Sequence, residues 1–264
     1  LNMQQEKYYV NKNIFNPIDS VCVVTGGSSG IGLALIKSLI KKKAKKVINI
    51  DIKKNNISEI DFHSCDVGNN KEVEKTLSSI YKKYNHIDLF CSNAGIFSAD
   101  DAFASAEHWD KVIKTNILQH ANIVRHCMSN MIVRKKGWFL ITGSAAGLLS
   151  QVGSATYSTT KHATIGFAEW LAITYGDKNI GVSVLCPQAV KTPMTENIKN
   201  GGVAGIDGML EADFVANFTL DQMALGKFLI TPHEKVNKYI KNKAANPEKW
   251  IIGMRKLYKK FVSE

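Results

Sequence analysis

Between a short β-rich run, SVCVVT (20–25), and an apolar-periodic helix, Ile31 to Lys43, the chain reads TGGSSGIG (25–32). A strand, a glycine turn and a helix start in that order leave few folds open. The backbone must reverse sharply, and glycine lets a ligand approach it with no Cβ in the way. Gly26, Gly30 and Gly32 are spaced G-x-x-x-G-x-G. The first N–H groups of the helix lack intrahelical acceptors and sit at its positive dipole end, a ready site for phosphate. The turn predicts a pyrophosphate cradle built from Gly26, Ser28, Ser29, Gly30, Ile31 and Gly32.

The rest of the pattern repeats that unit. Apolar residues at 31, 35, 36, 39 and 40 form a helix stripe, and VINID (47–51) and IDFHSC (60–65) read as strands. A helix over about 69–84 precedes IDLFCS (87–92), and a long helical stretch over 107–134 precedes GWFLITGS (137–144). A helix over 155–177 and the strand VSVLCP (182–187) follow. Alternation of this kind predicts an α/β, doubly wound Rossmann fold. KFLIT (227–231) makes its mainly parallel sheet seven-stranded, with helices on the flanks and extra C-terminal helices. Ligands then bind outside the carboxyl ends of the strands.

Residues 1–19 read as a polar surface arm and 20–264 as a single Rossmann-type domain. Within it, 187–225 forms a flexible substrate loop and helix region, and 226–264 the last strand and C-terminal helices. KTPMTENIKNGGVAGIDG has four glycines and no strong period, so it is either a mobile lid over a substrate or a plain connector. A helix near 209–224 follows it. In the last helix, after the Asn-Pro start of ANPEKW, Trp250, Met254, Leu257, Tyr258 and Phe261 share a face. That face packs on the body or a sister subunit; a membrane-surface helix is the alternative.

Asp51 ends the second strand, 19 residues past Gly32. A carboxylate there bonds both ribose hydroxyls of an adenosine and repels a 2′-phosphate. The expectation, with Ile52 beside it, is NAD(H) rather than NADP(H), although Lys53 and Lys54 blunt the repulsion.

YSTTK (157–161) offers a tyrosine and a lysine at i and i+4, but so do Tyr8 with Lys12 and Tyr239 with Lys243. Spacing alone does not choose among them. Order and context do. TGGSSGIG (25–32), Asp51, CDV (65–67), NAG (93–95), TN (115–116), GS (143–144), YSTTK (157–161) and CPQAVKTPM (186–194) together resemble the short-chain dehydrogenase/reductase family over about residues 20–194. Ser144 stands 13 residues before Tyr157, where that family places its serine.

The resemblance implies an oxidoreductase with Asn116, Ser144, Tyr157 and Lys161 as catalytic residues. A phenol titrates near 10, and a neighbouring ammonium is expected to lower that of Tyr157 so that it takes an alcohol's proton. Ser144 would hold the substrate oxygen. Lys161 would also hold the nicotinamide ribose, and Asn116 would anchor a water that relays the proton. Asp66 and Val67 would touch adenine, Asn93, Ala94 and Gly95 would border its ribose, and Val190 and Thr192 would bracket the carboxamide. The family's usual Pro-Gly is Pro187-Gln188 here, which sets a side chain near the nicotinamide end. The family's common C-terminal T-G-x-x-x-x-V-D-G-G stretch is absent. A homodimer or homotetramer is implied, with the 107–134 and 155–177 helices at an interface, and a small-molecule alcohol or ketone as substrate.

The net charge of +11 comes from 34 lysines and arginines, of which only Arg125, Arg134 and Arg255 are arginines. Forked readout of nucleic acid favours arginine, so no nucleic-acid partner is expected. No apolar run reaches the ~18 residues that span a bilayer, so no stable membrane association and a cytoplasmic location are expected. The five cysteines form no C-x-x-C pair and read as buried thiols, and the seven histidines lack metal-ligand spacing, so no metal is expected. Two other readings stay open: an NADP(H)-dependent carbonyl reductase and a non-catalytic NAD-binding sensor protein.

Overall fold

A computed structural model of the chain describes residues 10–11, 14–55 and 57–262. Its strands are β1 (Val21–Thr25), β2 (Lys46–Asp51), β3 (Asp61–Ser64), β4 (Leu89–Ser92), β5 (Gly137–Thr142), β6 (Ile180–Leu185), β7 (Val190–Lys191), β8 (Leu210–Glu211) and β9 (Leu229–Ile230). Seven of them form one sheet in the order β3-β2-β1-β4-β5-β6-β9, every neighbour parallel. Strands covered on both faces need apolar residues at every position, which is why VCVV, LFC and WFLI read as runs rather than alternations. The strand order reverses between β1 and β4, the switch point outside whose carboxyl ends ligands bind in such sheets.

The helices are α1 (Gly30–Lys41), α2 (Asn70–Tyr84), α3 (Ala106–Ile113), α4 (Gln119–Arg134), α5 (Ala146–Leu149), α6 (Ala155–Tyr175), α7 (Ala212–Met223), α8 (Lys235–Ala245) and α9 (Pro247–Phe261). One core joins α2, α4 and α6 to alternate residues of the strands. A second, on the other face, joins α1 and α7. Phe90 and Phe139 are fully buried in the first core, and burying such a side chain is worth roughly 1.5–3 kcal/mol.

Several expectations change. The helix expected over 107–134 is broken by a wider π turn at Lys114–Leu118. The 187–225 region is not a featureless loop: β7 and β8 pair, and Gln188, Lys235 and Tyr239 all bond to the Asp207 carboxylate. The α8 helix is one of the expected C-terminal helices, but its bounds were not legible, because its lysine-rich sequence buries only Val236. Of the expected surface arm, residues 1–9, 12 and 13 lie outside the described residues. Two others are tucked in. Asn11 is 4% exposed and Phe15 6%. The Asn11 amide donates to Val182 O and Gly226 O and accepts from Val182 N, completing β6 where no strand covers it.

On the outer faces of α4 and α6, where the resemblance places a subunit contact, Val133 and Ile173 are each 83% exposed. No helix among the described residues is long and apolar enough to cross a membrane.

Asp88, just ahead of β4, is 3% exposed and ties three segments together. Its carboxylate accepts from Val21 N at 2.9 Å and from the Arg134 guanidinium at 2.6 Å. Burial alone would raise its pKa, but the bonds from Arg134 and Val21 and the charge of Lys136 outweigh that and hold it below its usual 3.8. The stabilisation is therefore complete above pH ~4 and is lost as pH falls through the depressed folded value. Asp88→Ala leaves Arg134 partly buried without its partner, and we expect a loss of about 3–5 kcal/mol in urea unfolding. A loss below ~1 kcal/mol would show that the pair is only a surface contact.

Candidate active site

Packing fixes the glycine turn. Gly26 has φ +65, and a Cβ on it would meet Ala94 Cα at 2.9 Å. Gly32 has no room at all, since its Cβ would stand 2.1 Å from Gly26 O. Asn49, fully buried in β2, accepts from Gly27 N at 3.1 Å and donates to Ser28 Oγ at 3.0 Å. This support was missed at the sequence level; its signal was a polar residue in the middle of a buried strand. Ser29, at the α1 N-cap, makes no side-chain cap bond, so nothing from its side chain occupies the first-turn N–H groups.

Asp51 closes β2 beside the turn, accepting from Ser28 N at 3.0 Å and Lys53 N at 3.1 Å. The NAG segment is stapled to its neighbours. Asn93 N and Ala94 N donate to Thr25 Oγ1 at 2.9 and 3.1 Å, and Thr142 Oγ1 donates to Asn93 Oδ1 at 3.0 Å. Gly26, Ser29, Gly30, Ile31, Asp51, Ile52, Asp66, Val67, Asn93, Ala94, Gly95, Pro187, Gln188, Val190 and Thr192 all line one cavity of about 1390 Å³. Ser28 and Gly32 do not line it; they support the turn from behind.

Ser144, Tyr157 and Lys161 line the same cavity. Ser144 follows β5, and its hydroxyl accepts from Ala146 N at 3.1 Å. Tyr157 and Lys161 lie in the first two turns of α6. Asp100 holds the start of that helix by accepting from Thr156 N at 3.0 Å, and Ser154 caps it. The Phe97 ring meets the Tyr157 ring edge-on at 5.2 Å and fixes its direction. Neither Asp100 nor Phe97 was singled out from the sequence, because only the fold brings them to α6.

Lys161 is 3% exposed; its ammonium donates to Thr142 O at 2.8 Å and lies 5.6 Å from the Tyr157 ring centre. Burial drives its pKa down to about 8. Burial also raises the Tyr157 phenol, with the Ser144 hydroxyl pulling the other way. The expected lowering by the lysine is therefore reversed here. The ammonium is engaged by Thr142 and is itself costly to keep charged, so desolvation of the phenolate dominates.

Asn116 is fully buried behind Gly95 and does not line the cavity. Its side chain accepts from Ile96 N and donates to Ile96 O, both at 2.9 Å, which holds the π turn against the loop after β4. Its backbone carbonyl accepts from Thr164 Oγ1 at 3.1 Å.

Of the rival pairs, Tyr8 and Lys12 lie outside the described residues. Tyr239 lines the same cavity, but it donates to Asp207 while Lys243 does not line the cavity and donates to Leu148 O, so this pair on α8 ties neighbouring segments together. Gln188, in place of the usual glycine, donates to Asp207 at 3.2 Å, and its N–H donates to His233 Nδ1. Among the described residues no group of three or more His, Cys, Asp or Glu side chains could hold a metal ion. All five cysteines are buried, and burial lifts Cys127 and Cys186 to about 12, far from a reactive thiolate.

A parallel sheet with a glycine cradle at its switch point, and a serine, a tyrosine and a lysine beside it, defines a dinucleotide-binding oxidoreductase. The residues fit a nicotinamide dinucleotide: close-approach glycines and helix N–H groups suit the phosphates, and a carboxylate at the end of β2 suits a ribose.

Comparison with known proteins agrees. The family model described as short chain dehydrogenase matches residues 20–201. The chain is 30% identical over 187 residues to 3-oxoacyl-[acyl-carrier-protein] reductase FabG of Buchnera aphidicola, covering 67% of this chain and 76% of that protein. It is 30% identical over 190 residues to carbonyl reductase family member 4 of Xenopus laevis, covering 69% and 80%. A short chain dehydrogenase/reductase from Burkholderia phymatum, solved in complex with NAD, superposes with a TM-score of 0.79 at 24% identity, over 89% of this chain and 96% of that one. The chain belongs to the short-chain dehydrogenase/reductase family.

Proposed function

We propose that the protein transfers a hydride between NAD(H) and a secondary alcohol or its ketone, with Tyr157 as general acid/base. The observation that carries this is the meeting of Ser144, Tyr157 and Lys161 in one cavity with the glycine turn and Asp51. A bound nicotinamide dinucleotide supplies the hydride acceptor or donor. The chain's own residues do the rest. Ser144 Oγ holds the substrate oxygen and steadies its developing charge. Tyr157 Oη gives that oxygen a proton as a ketone is reduced and takes it back as an alcohol is oxidised. With its phenol raised by burial, Tyr157 stands ready as the donor. Lys161 holds a ribose and, with Asn116, connects the phenol to a proton relay.

Asp51 supports NAD(H). Its carboxylate is aligned by Ser28 N and Lys53 N at the cavity edge, where a 2′-phosphate would meet a like charge. Lys53 and Lys54, two and three residues past Asp51, support NADP(H). A panel of secondary alcohols with NAD⁺ and NADP⁺, followed by absorbance of the reduced cofactor, separates the two. We expect kcat/KM to favour NAD⁺, and Asp51→Ser to shift the ratio toward NADP⁺ by at least about tenfold, the effect of a ~1.4 kcal/mol repulsion. An unchanged ratio would remove Asp51 from cofactor choice. No turnover with any alcohol or ketone, cofactor bound, would favour the sensor reading.

A further inference from the structure

Helix α9 carries Trp250, Met254, Leu257 and Phe261 at i, i+4, i+7 and i+11, one apolar face. Such a face normally closes onto the body, yet no residue of α9 is buried, and Phe261 remains 39% exposed. The four side chains line the cavity instead. Met194 and Ile206 line it too and stay 44% and 48% exposed. Both apolar sets thus line one space and stay partly exposed to it. The helix is pinned near both ends: Trp250 Nε1 donates to Leu149 O at 3.3 Å, and Val262 sits so close to Gly153 that a Cβ there would lie 3.1 Å from it. The cavity of about 1390 Å³ runs from the glycine turn and Asp51 to α9, so it has room for a second ligand beside a dinucleotide.

One rim of this space is basic. Lys249 lines the cavity beside Asn242 and Asn246, and its ammonium has no carboxylate partner among the described residues. Residues 234–262 hold nine lysines and arginines against two glutamates, a charge of +7 within the chain's +11. From Trp250 to Phe261 the stripe runs about 16 Å at the helical rise, the length of an extended chain of on the order of ten carbons.

We propose that the substrate is an elongated amphipathic anion: a secondary alcohol or ketone borne on an apolar chain that lies under α9 and ends in a carboxylate at Lys249. This rests on the hydride-transfer reading for its reacting end; the chain and the anionic end rest on α9 alone. Filling that space removes both apolar sets from water, so each methylene contributes.

Two measurements test it separately. In the first, decanoate, butanoate and decyltrimethylammonium, none of which can react, are titrated against the protein and its Trp250→Phe variant by tryptophan fluorescence. Decanoate is expected to bind at least 50-fold tighter than butanoate and tenfold tighter than the cation, with a signal that Trp250→Phe loses. The preference over the cation should shrink as salt rises. Leu257→Asp, shown to be folded by circular dichroism, should weaken decanoate binding at least tenfold. Binding of decanoate no tighter than butanoate, or unchanged in Leu257→Asp, overturns the proposal. In the second, 4-oxopentanoate, 9-oxodecanoate and 2-decanone are reduced with NADH. We expect kcat/KM to rise roughly fourfold per methylene, the effect of ~0.8 kcal/mol each, and to favour 9-oxodecanoate over 2-decanone. Turnover that ignores chain length, or equal rates for those two, overturns the proposal and leaves hydride transfer standing. Tight decanoate binding with no ketone reduced supports the cavity's ligand class and removes the hydride-transfer reading instead.

Discussion

Tyr157→Phe should leave dinucleotide affinity within about twofold and cut kcat by roughly 10³-fold, inside the 10²–10⁴ that a positioned acid or base supplies. The variant removes one oxygen and little else. The ring stays edge-on against Phe97 at 5.2 Å, and the α6 start is held by Asp100 and Ser154, neither of which touches the phenol. Lys161 keeps its bond to Thr142 O, so the ribose-binding side of the cavity is undisturbed. Fluorescence titration with NADH and single-turnover kinetics separate the two effects. A kcat within a tenth of the parent would take the proton-transfer role from Tyr157. Equal losses in affinity and rate would mean that the hydroxyl holds the site together rather than working in it.

Gly32→Val should abolish cofactor binding, raising Kd at least about 100-fold. The reason is space rather than φ. A Cβ on Gly32 falls 2.1 Å from Gly26 O and 2.7 Å from Asn93 Nδ2. Neither can retreat, because Asn93 is bonded to Thr25 and Thr142, and Gly26 N bonds back to Ile50 O. The turn must open, and the helix N–H groups then leave the phosphates. Gly166→Ala is the control: nothing lies within 4 Å of its Cβ, so affinity should hold and stability should rise by ~0.5–1 kcal/mol. Calorimetric titration of both variants with NADH checks this, and measurable affinity in Gly32→Val within tenfold of the parent would mean that the turn has slack the packing does not show.

How much could be read in advance differs from element to element. The seven-stranded parallel order followed from apolar runs between helical stripes, since strands covered on both faces carry that pattern in themselves. The π turn at Lys114–Leu118 did not, because it depends on Asn116 reaching Ile96, twenty residues away. The bounds of α8, within the expected C-terminal helices, were hidden because polar, lysine-rich residues give no stripe when only Val236 is buried. The stretch KTPMTENIKNGGVAGIDG showed no strong period, yet β7 at its start pairs with β8, and Asp207 near its end accepts bonds from Gln188 and Lys235.

Within the site, the residues expected to hold cofactor and substrate stood in local motifs, and the ones that aim them did not. Asn49, Phe97 and Asp100 act on Ser28, Tyr157 and Thr156 across separations of 21, 60 and 56 residues, and no short pattern records such pairs. The direction of the Tyr157 shift was likewise misread: adjacency of a lysine was visible, whereas the burial that dominates the phenol was not.

The amino-acid order by itself determined the alternation of strands and helices, the glycine turn with its acid at Asp51, and the pairing of Tyr157 with Lys161, because each is set by neighbours within one or two turns of chain. Only the tertiary structure decided that Tyr157 and Lys161 meet Ser144 in the cavity of the glycine turn while Lys243, the partner of Tyr239, turns to Leu148 O, that Asn116 sits behind that cavity rather than lining it, and that α9 lines it without being buried. Those outcomes depend on desolvation and on contacts between distant segments, and both come into being only when the sheet has brought those segments together.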